Sequence, residues 1–436
     1  MHSDQIAYTG KVSYHLGFKA CESEGLIMSK KIADFSRRDF LKTAGAVGVG
    51  SMLSPIENLA NAQGLLAAGE SKQKVFPTRP FGKTGVNVSI LGLGGAFHWS
   101  NILLLKQALK MGVTYWDTAP SYGESETAIG KFFGKFPEDR KKVFLVTKSK
   151  TSDPHSMTRA LKTSLERMKT SYIDLYLIHG IADAYRIDRA AKAWAEEAKA
   201  QGKIRLFGFS THKNMEKCLL GAAKLGWIDG IMLSYNFRIM HTETMKKAVD
   251  NCFSAGIGLT AMKTQAKGGW GTEKITPDDK EQHLFNQFKK GGLTVEQAKL
   301  KAVWSDNRFA SICSYMTNMT VLQANVAAAL SKTKLSFQNR RLLDQYARET
   351  ASHYCAGCAH ICEPAINYEV PISDVMRYIM YDRCYGEPER AKSAFKELPL
   401  KVRRRMGNMD YKEAERKCPQ GLPIGRRMRE AVIELA

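Results

Sequence analysis

The chain has 436 residues, 44% hydrophobic and 25% charged, which excludes a disordered or fibrous chain and leaves room for one large domain plus a smaller appendage. A formal net charge of +22 would suit nucleic acid or an anionic membrane. Lysine and arginine are instead spread along the whole chain, apart from the run KVRRR at 401–405, with no aromatic-and-basic stripe and no zinc-finger spacing, so nucleic acid is excluded as the partner.

Taken in chain order, residues 36–43 read SRRDFLKT and lead into the glycine- and alanine-rich AGAVGVGSML and then NLANAQG. A paired arginine, a short apolar stretch and small residues ahead of a cut resemble a bacterial twin-arginine export signal, with Arg37 and Arg38 as the pair and cleavage expected after Ala62. The resemblance implies passage through the twin-arginine export machinery to the periplasm. Met28 would serve as a start as well as Met1, since 1–27 add nothing such a signal needs. Residues 1–62 are set apart as a leader. No later window offers ~18 uninterrupted apolar residues, so no transmembrane segment is expected.

From 75 to 350, apolar β-rich runs alternate with helical patterns. Strands are predicted at 88–93, 113–117, 143–147, 173–179, 204–210, 228–236, 257–263 and 309–314, and amphipathic helices such as SMTRALKTSLERM at 156–168 and DRAAKAWAEEAKAQ at 188–201 lie between them. Eight such units predict an α/β chain closed into a (β/α)8 TIM barrel. The doubly wound alternative is disfavoured because the first turn, LGLGGAFHWS, lacks a full G-x-G-x-x-G fingerprint.

The strands end on polar residues: Asp117, Lys148, His179, Ser210, Asn236 and Lys263. All strand C-termini of such a barrel open on one face, so these groups are expected to converge there. Lys148 would prime Tyr122, from YWDTAPSYGESE, by favouring its phenolate, while Asp117 holds the ammonium in place and His179 orients a substrate oxygen. The implied chemistry is protonation of a carbonyl oxygen as hydride arrives, and no side chain donates hydride, so a nicotinamide is implied.

FGKTGVNVSILGLGG, DTAPSYG, VTKSK, DLYLIHG, IRLFGFSTH, MLSYNF and GLTAMKT follow one another in the order seen in aldo-keto reductases, and the chain resembles that family from about residue 81 to 329. The resemblance implies Asp117, Tyr122, Lys148 and His179 as the catalytic four. It also implies Ser210 and Thr211 at the nicotinamide carboxamide and Asn325 near the adenine end, with Asn236 and Lys263 completing the cofactor-facing set. Met232 stands where many members have glutamine, the aromatic that stacks on nicotinamide is replaced around Met262 and Lys263, and SICSYMTNMTVLQAN lacks the lysine, serine and arginine that grip a 2′-phosphate. The cofactor is expected to be NADP or NAD with little preference for NADP.

Residues 351–436 carry HYCAGCAHICEPAI and AERKCPQGLPIG. Cys355, Cys358, Cys362 and the distant Cys418 before Pro419 can hold one 4Fe-4S cluster, with zinc or disulfides as competing readings and Cys384 as a spare. The segment resembles a degraded ferredoxin-like extension, predicted to be small and helical. The expected function is an exported oxidoreductase acting on a small carbonyl or sugar substrate; the alternative is a nicotinamide-binding electron-transfer or redox-sensing module with an electron-transfer partner. The substrate pocket is expected from the loops at 179–188 and 264–282, with Trp270 as a wall.

Overall fold

The computed structural model describes residues 75–95, 102–266, 279–290 and 293–436. The leader, its cleavage site after Ala62, and Trp270 lie outside them. Residues 74–436 form one compact unit.

The chain enters through a hairpin that the sequence reading did not contain. β1 (Thr78–Pro80) pairs antiparallel with β2 (Asn87–Ser89), Arg79 opposite Val88. The strand predicted at 88–93 therefore breaks at Ile90, and its first part belongs to this hairpin. The turn drives Phe81 into the barrel, where it is fully buried against Phe144 with ring centroids 5.4 Å apart. Gly230 and Gly258 make room for it: a Cβ at either would lie 2.7 or 2.4 Å from the Phe81 ring.

Eight parallel strands follow: β3 (Leu91–Gly94), β4 (Tyr115–Asp117), β5 (Phe144–Ser149), β6 (Ile173–Ile178), β7 (Ile204–Thr211), β8 (Gly230–Ser234), β9 (Gly258–Met262) and β10 (Phe309–Ser314). They close into a barrel in which β10 pairs with both β3 and β9. Both faces are covered, which is why the strands read as nearly continuous apolar runs. In β6, Leu175 and Leu177 point inward to Tyr115, Val146 and Met232, whereas Tyr176 and Ile178 face the helices.

The helix Pro154–Met168 forms because Asp153 accepts from the Ser156 N–H, Pro154 starts the first turn, and Met157, Leu161, Ser164 and Met168 make one buried stripe. Asp188 caps Arg189–Ala200 in the same way. The connection from β9 to β10 carries two helices, Asp279–Lys290 and Val295–Trp304.

The C-terminal region is helical, as expected, and has its own apolar core. Helices Ile372–Tyr385, Pro388–Lys396 and Ile424–Leu435 bring together Val375, Met376, Ile379, Phe395, Met428 and Ala431. No helix among the described residues is long and apolar enough to cross a membrane.

Candidate active site

β4 ends on Asp117, which is 3% exposed, and β5 next to it carries Lys148, 1% exposed. Asp117 lies opposite Val146 in the ladder, so Lys148, two residues further on, projects over the end of β4. Its Nζ is 2.5 Å from Asp117 Oδ1 and 2.7 Å from the Thr118 carbonyl oxygen. Two buried acceptors explain why a strand in a packed barrel ends on a charge: carboxylate and ammonium each answer the other's burial.

The loop after β4 then returns Tyr122 to the ammonium. The Tyr122 N–H donates to the Ala119 carbonyl at 3.0 Å, and Gly123 supplies the positive φ that closes the turn. Lys148 Nζ stands 4.7 Å from the Tyr122 ring centroid. His179 follows β6, fixed by its N–H to the Ser149 carbonyl at 2.7 Å, and its ring meets Tyr122 edge-on with centroids 5.7 Å apart. Asp117, Tyr122, Lys148 and His179 are thus in one cluster at the C-terminal rim.

Burial disfavours charge on Lys148, but the carboxylate of Asp117, the phenol and the hydrogen bond outweigh it, and the ammonium's pKa is raised. Tyr122 departs from the expectation drawn from sequence. Lys148 and Arg390 do pull its pKa down, yet burial is the larger effect and pushes the phenol up to about 12. Burial together with Lys148, Arg377, Arg390 and Lys150 holds His179 well below its usual range, so the imidazole is neutral. A phenol that keeps its proton, beside a fixed cation and a neutral imidazole, can donate to an oxygen on which negative charge develops.

Three neighbours were not picked out from the sequence. Cys313 on β10 hydrogen-bonds Asp117, and burial followed by that carboxylate keeps its thiol protonated, far above the usual range. Arg390, from the C-terminal region, has its guanidinium carbon 5.9 Å from the Tyr122 ring centroid and 4.3 Å from that of Tyr381. Arg377 joins it in the field around His179.

Ser210 Oγ accepts from the Gly180 N–H at 3.0 Å and keeps its own proton uncommitted among the described residues. Thr211 Oγ1 donates to the Lys213 carbonyl at 2.9 Å. The Asn236 amide donates to the Tyr354 hydroxyl at 2.8 Å and the Lys263 carbonyl at 3.3 Å, while its oxygen accepts from the Arg238 N–H. Asn325 Nδ2 donates to Ser314 Oγ at 3.1 Å. Lys263 directly follows β9 at φ 55°.

Cys355, Cys358, Cys362 and Cys418 line one small cavity, walled by Ile372, Leu422 and Ile424. Burial, aided by the neighbouring thiols, pushes Cys355, Cys358 and Cys362 each up to about 12. Among the described residues no group of three or more His, Cys, Asp or Glu is arranged to hold a metal ion. The cysteine loop docks on the end of β7, where the Asn214 N–H donates to the Gly357 carbonyl at 2.8 Å and Lys213 Nζ reaches Glu363 at 3.0 Å and Asp374 at 3.2 Å.

The profile of the Aldo/keto reductase family matches residues 100–343. That of the twin-arginine translocation pathway signal sequence matches 34–54, which addresses the chain to the periplasm. The chain is 28% identical over 240 residues to an aldo-keto reductase of Fusarium vanettenii, covering 44% of this chain and 64% of that one. It is 31% identical over 156 residues to an aldo-keto reductase of Schizosaccharomyces pombe named for NADP(+), covering 31% and 45%. It therefore spans about half to two thirds of the length of these relatives. A solved aldo-keto reductase from Bacillus halodurans, in its holo form, shares the fold with a TM-score of 0.53 at 21% identity, over 65% of this chain and 98% of that one. The closed barrel, the cluster on its rim and a family match over more than half of the sequence lead to one assignment: the chain belongs to the aldo/keto reductase family.

Proposed function

We propose that the protein is an exported oxidoreductase that moves hydride between a nicotinamide, NAD or NADP, and a small carbonyl or sugar substrate or its alcohol. The observation that carries this is the Lys148 ammonium held at 2.5 Å by Asp117 and facing the Tyr122 ring at 4.7 Å. Tyr122 gives its proton to the substrate oxygen, neutral His179 fixes that oxygen by a hydrogen bond, and Lys148 offsets the phenolate left behind. A nicotinamide bound at the rim supplies the hydride. Ser210, with its spare hydroxyl proton, fits the carboxamide; Thr211, Asn236, Lys263 and Asn325 complete the proposed cofactor set.

The extension, in this reading, holds one 4Fe-4S cluster on Cys355, Cys358, Cys362 and Cys418, supported by the four thiols around one cavity. Such a cluster supplies single electrons. Zinc is the alternative for the same thiols. The proposed division of the chain is a barrel at 75–350 and the cysteine-containing extension at 351–436.

A second reading has one observation in its favour. The Asn236 amide is taken by Tyr354 of the extension, which suits an electron-transfer or redox-sensing module that binds nicotinamide without efficient turnover and answers to an electron-transfer partner. Tyr122→Phe separates the two. It should lower carbonyl reduction by a factor of ~100 or more while nicotinamide binding persists. Reduction at an undiminished rate would remove Tyr122 from the chemistry; little carbonyl reduction by the wild type, with nicotinamide binding and partner response unchanged in Tyr122→Phe, would favour the second reading.

A further inference from the structure

Arg390 stands in the first turn of the helix Pro388–Lys396, where a cation opposes the helix dipole. The preceding helix, Ile372–Tyr385, ends in a Schellman turn. Gly386 sits at φ 67°, its N–H donates to the Asp382 carbonyl at 3.2 Å, and the Glu387 N–H donates to that of Tyr381 at 2.9 Å. The corner so formed sets Tyr381, Glu387 and Arg390 side by side.

Two barrel loops meet this corner at the rim. After β10, the Tyr315 hydroxyl donates to Glu387 Oε1 at 3.1 Å. After β4, the Tyr122 ring has its centroid 5.9 Å from the Arg390 guanidinium carbon, which packs on the Tyr381 ring at 4.3 Å. Arg390 Nη1 donates to Glu387 Oε2 at 2.8 Å. A pair three residues apart forms on any exposed helix, so it does not explain why the guanidinium lies across Tyr381 toward Tyr122.

The charged and titratable groups around the Tyr122 phenol are Asp117 from β4, Lys148 from β5, His179 after β6, Cys313 from β10 and Arg390 from the extension. Asp117 repels a phenolate, and burial keeps the His179 imidazole and the Cys313 thiol neutral. Lys148 and Arg390 remain to attract it, and Lys148 is already committed to Asp117 at 2.5 Å. We infer that Arg390 is a positioning residue for Tyr122: the extension lays its guanidinium beside the phenol ring, holding the ring at Lys148 and stabilising the phenolate left when the proton passes to the substrate oxygen as hydride reaches the carbonyl carbon. This rests on Tyr122 as the proton donor. The reductase site is then built from two parts of the chain, the barrel rim and the corner at 386–390.

The Arg390 side chain is 37% exposed, so water weakens its pull. Removing a unit charge about 6 Å away at such a rim is expected to change rates by about threefold to tenfold. The test measures kcat/KM on the full chain with butanal and, in reverse, butanol. Arg390→Met should lower both by the same factor, since no variant shifts the equilibrium between them, and Arg390→Lys should stay within about twofold of wild type. Glu387→Gln keeps an acceptor for Tyr315 and removes the neighbouring negative charge, so its rates should not fall. The partners of a purely structural ion pair would both lose activity. A loss in Glu387→Gln as large as in Arg390→Met, or an Arg390→Met protein as fast as wild type, overturns the inference. Melting curves control for folding, and Arg390→Gln serves if methionine unseats the corner.

Tyr122→Phe separates the two readings. Undiminished reduction in that variant removes Tyr122 as donor and Arg390 with it; a slow Tyr122→Phe beside an unaffected Arg390→Met removes the role of Arg390 alone. Nuclear magnetic resonance of tyrosine-labelled protein needs no turnover. The ring signal of Tyr122, identified by its absence from Tyr122→Phe, should show several-fold less phenolate at about pH 11 in Arg390→Met than in the wild type or Arg390→Lys. If the wild type turns over neither compound this titration decides, and equal phenolate in all three proteins overturns the inference.

Discussion

Two effects of opposite sign meet at the Tyr122 oxygen: burial, which keeps the proton on, and the Lys148 ammonium, which draws it off. Burial is the stronger, and the phenol is pushed up to about 12. A group with a raised pKa stays in its acid form to higher pH, so the two reaction directions should respond differently. Reduction needs the protonated phenol and should have a flat kcat from about pH 6 to about pH 10. Alcohol oxidation needs the phenolate, a small fraction below the pKa, so its kcat should climb about tenfold per pH unit over that range. Lys148→Met removes a downward pull and should depress oxidation by ~10-fold or more at each pH. Profiles of kcat in both directions measure this, and a fall in reduction between about pH 7 and about pH 9 would contradict the assignment of Tyr122 as a buried acid. At this scale the polar strand ends were readable because Asp117 and Lys148 interrupt runs that are otherwise apolar. Cys313 was not. Strict alternation from outward-facing Phe309 would turn Cys313 outward, and the register irregularity between Phe309 and Ser311 is what brings its thiol to the interior. Arg390 acts on Tyr122 across more than two hundred residues of sequence, with no local pattern to mark it.

At the scale of elements, periodicity served for the strands and helices of the barrel, which carry long apolar repeats and side-chain caps such as Asp153 and Asp188. It failed for the entry hairpin. β1 is three residues, Thr78–Pro80, with a proline and no alternation, while Ile90 bridges two separate strands with an apolar residue and makes them look like one. The docking of the cysteine loop was equally hidden, because it depends on closeness rather than composition. Gly357 sits at φ 78°, and a Cβ there would lie 2.3 Å from the His212 carbonyl oxygen. Gly357→Ala must therefore strain the backbone and lift the loop from β7, breaking the hydrogen bond from the Asn214 N–H and shifting Cys355 and Cys358 together. The expected cost is about 2 kcal/mol or more, borne by the extension. Hydrogen exchange should show faster amide exchange over 351–436 with the barrel strands unchanged; a uniform change across the chain would mean that the loop's close approach is not what seats the extension.

For the whole molecule, the export signal and the cysteine cavity constrain one another. The twin-arginine route carries folded protein, so any group placed in the cytoplasm travels with the chain. Without metal, burial holds Cys355, Cys358 and Cys362 as neutral thiols, each pushed up to about 12. Thiolates bind metal, so in the proposed reading loading of the cavity would release protons and tie the helices of the extension together through the four cysteines, which would couple metal to folding. Protein isolated with its leader processed should then contain about four iron and four sulfide per chain and absorb broadly at about 400 nm. Chelation or Cys418→Ala should abolish that band and lower the melting temperature of the extension ahead of the barrel, giving two transitions where the loaded protein shows one. A colourless protein carrying about one zinc per chain would replace the cluster with a structural ion. Metal-free protein that melts in one transition would remove metal from the stability of the extension altogether, and its own apolar core, from Val375 to Met428, would have to account for it.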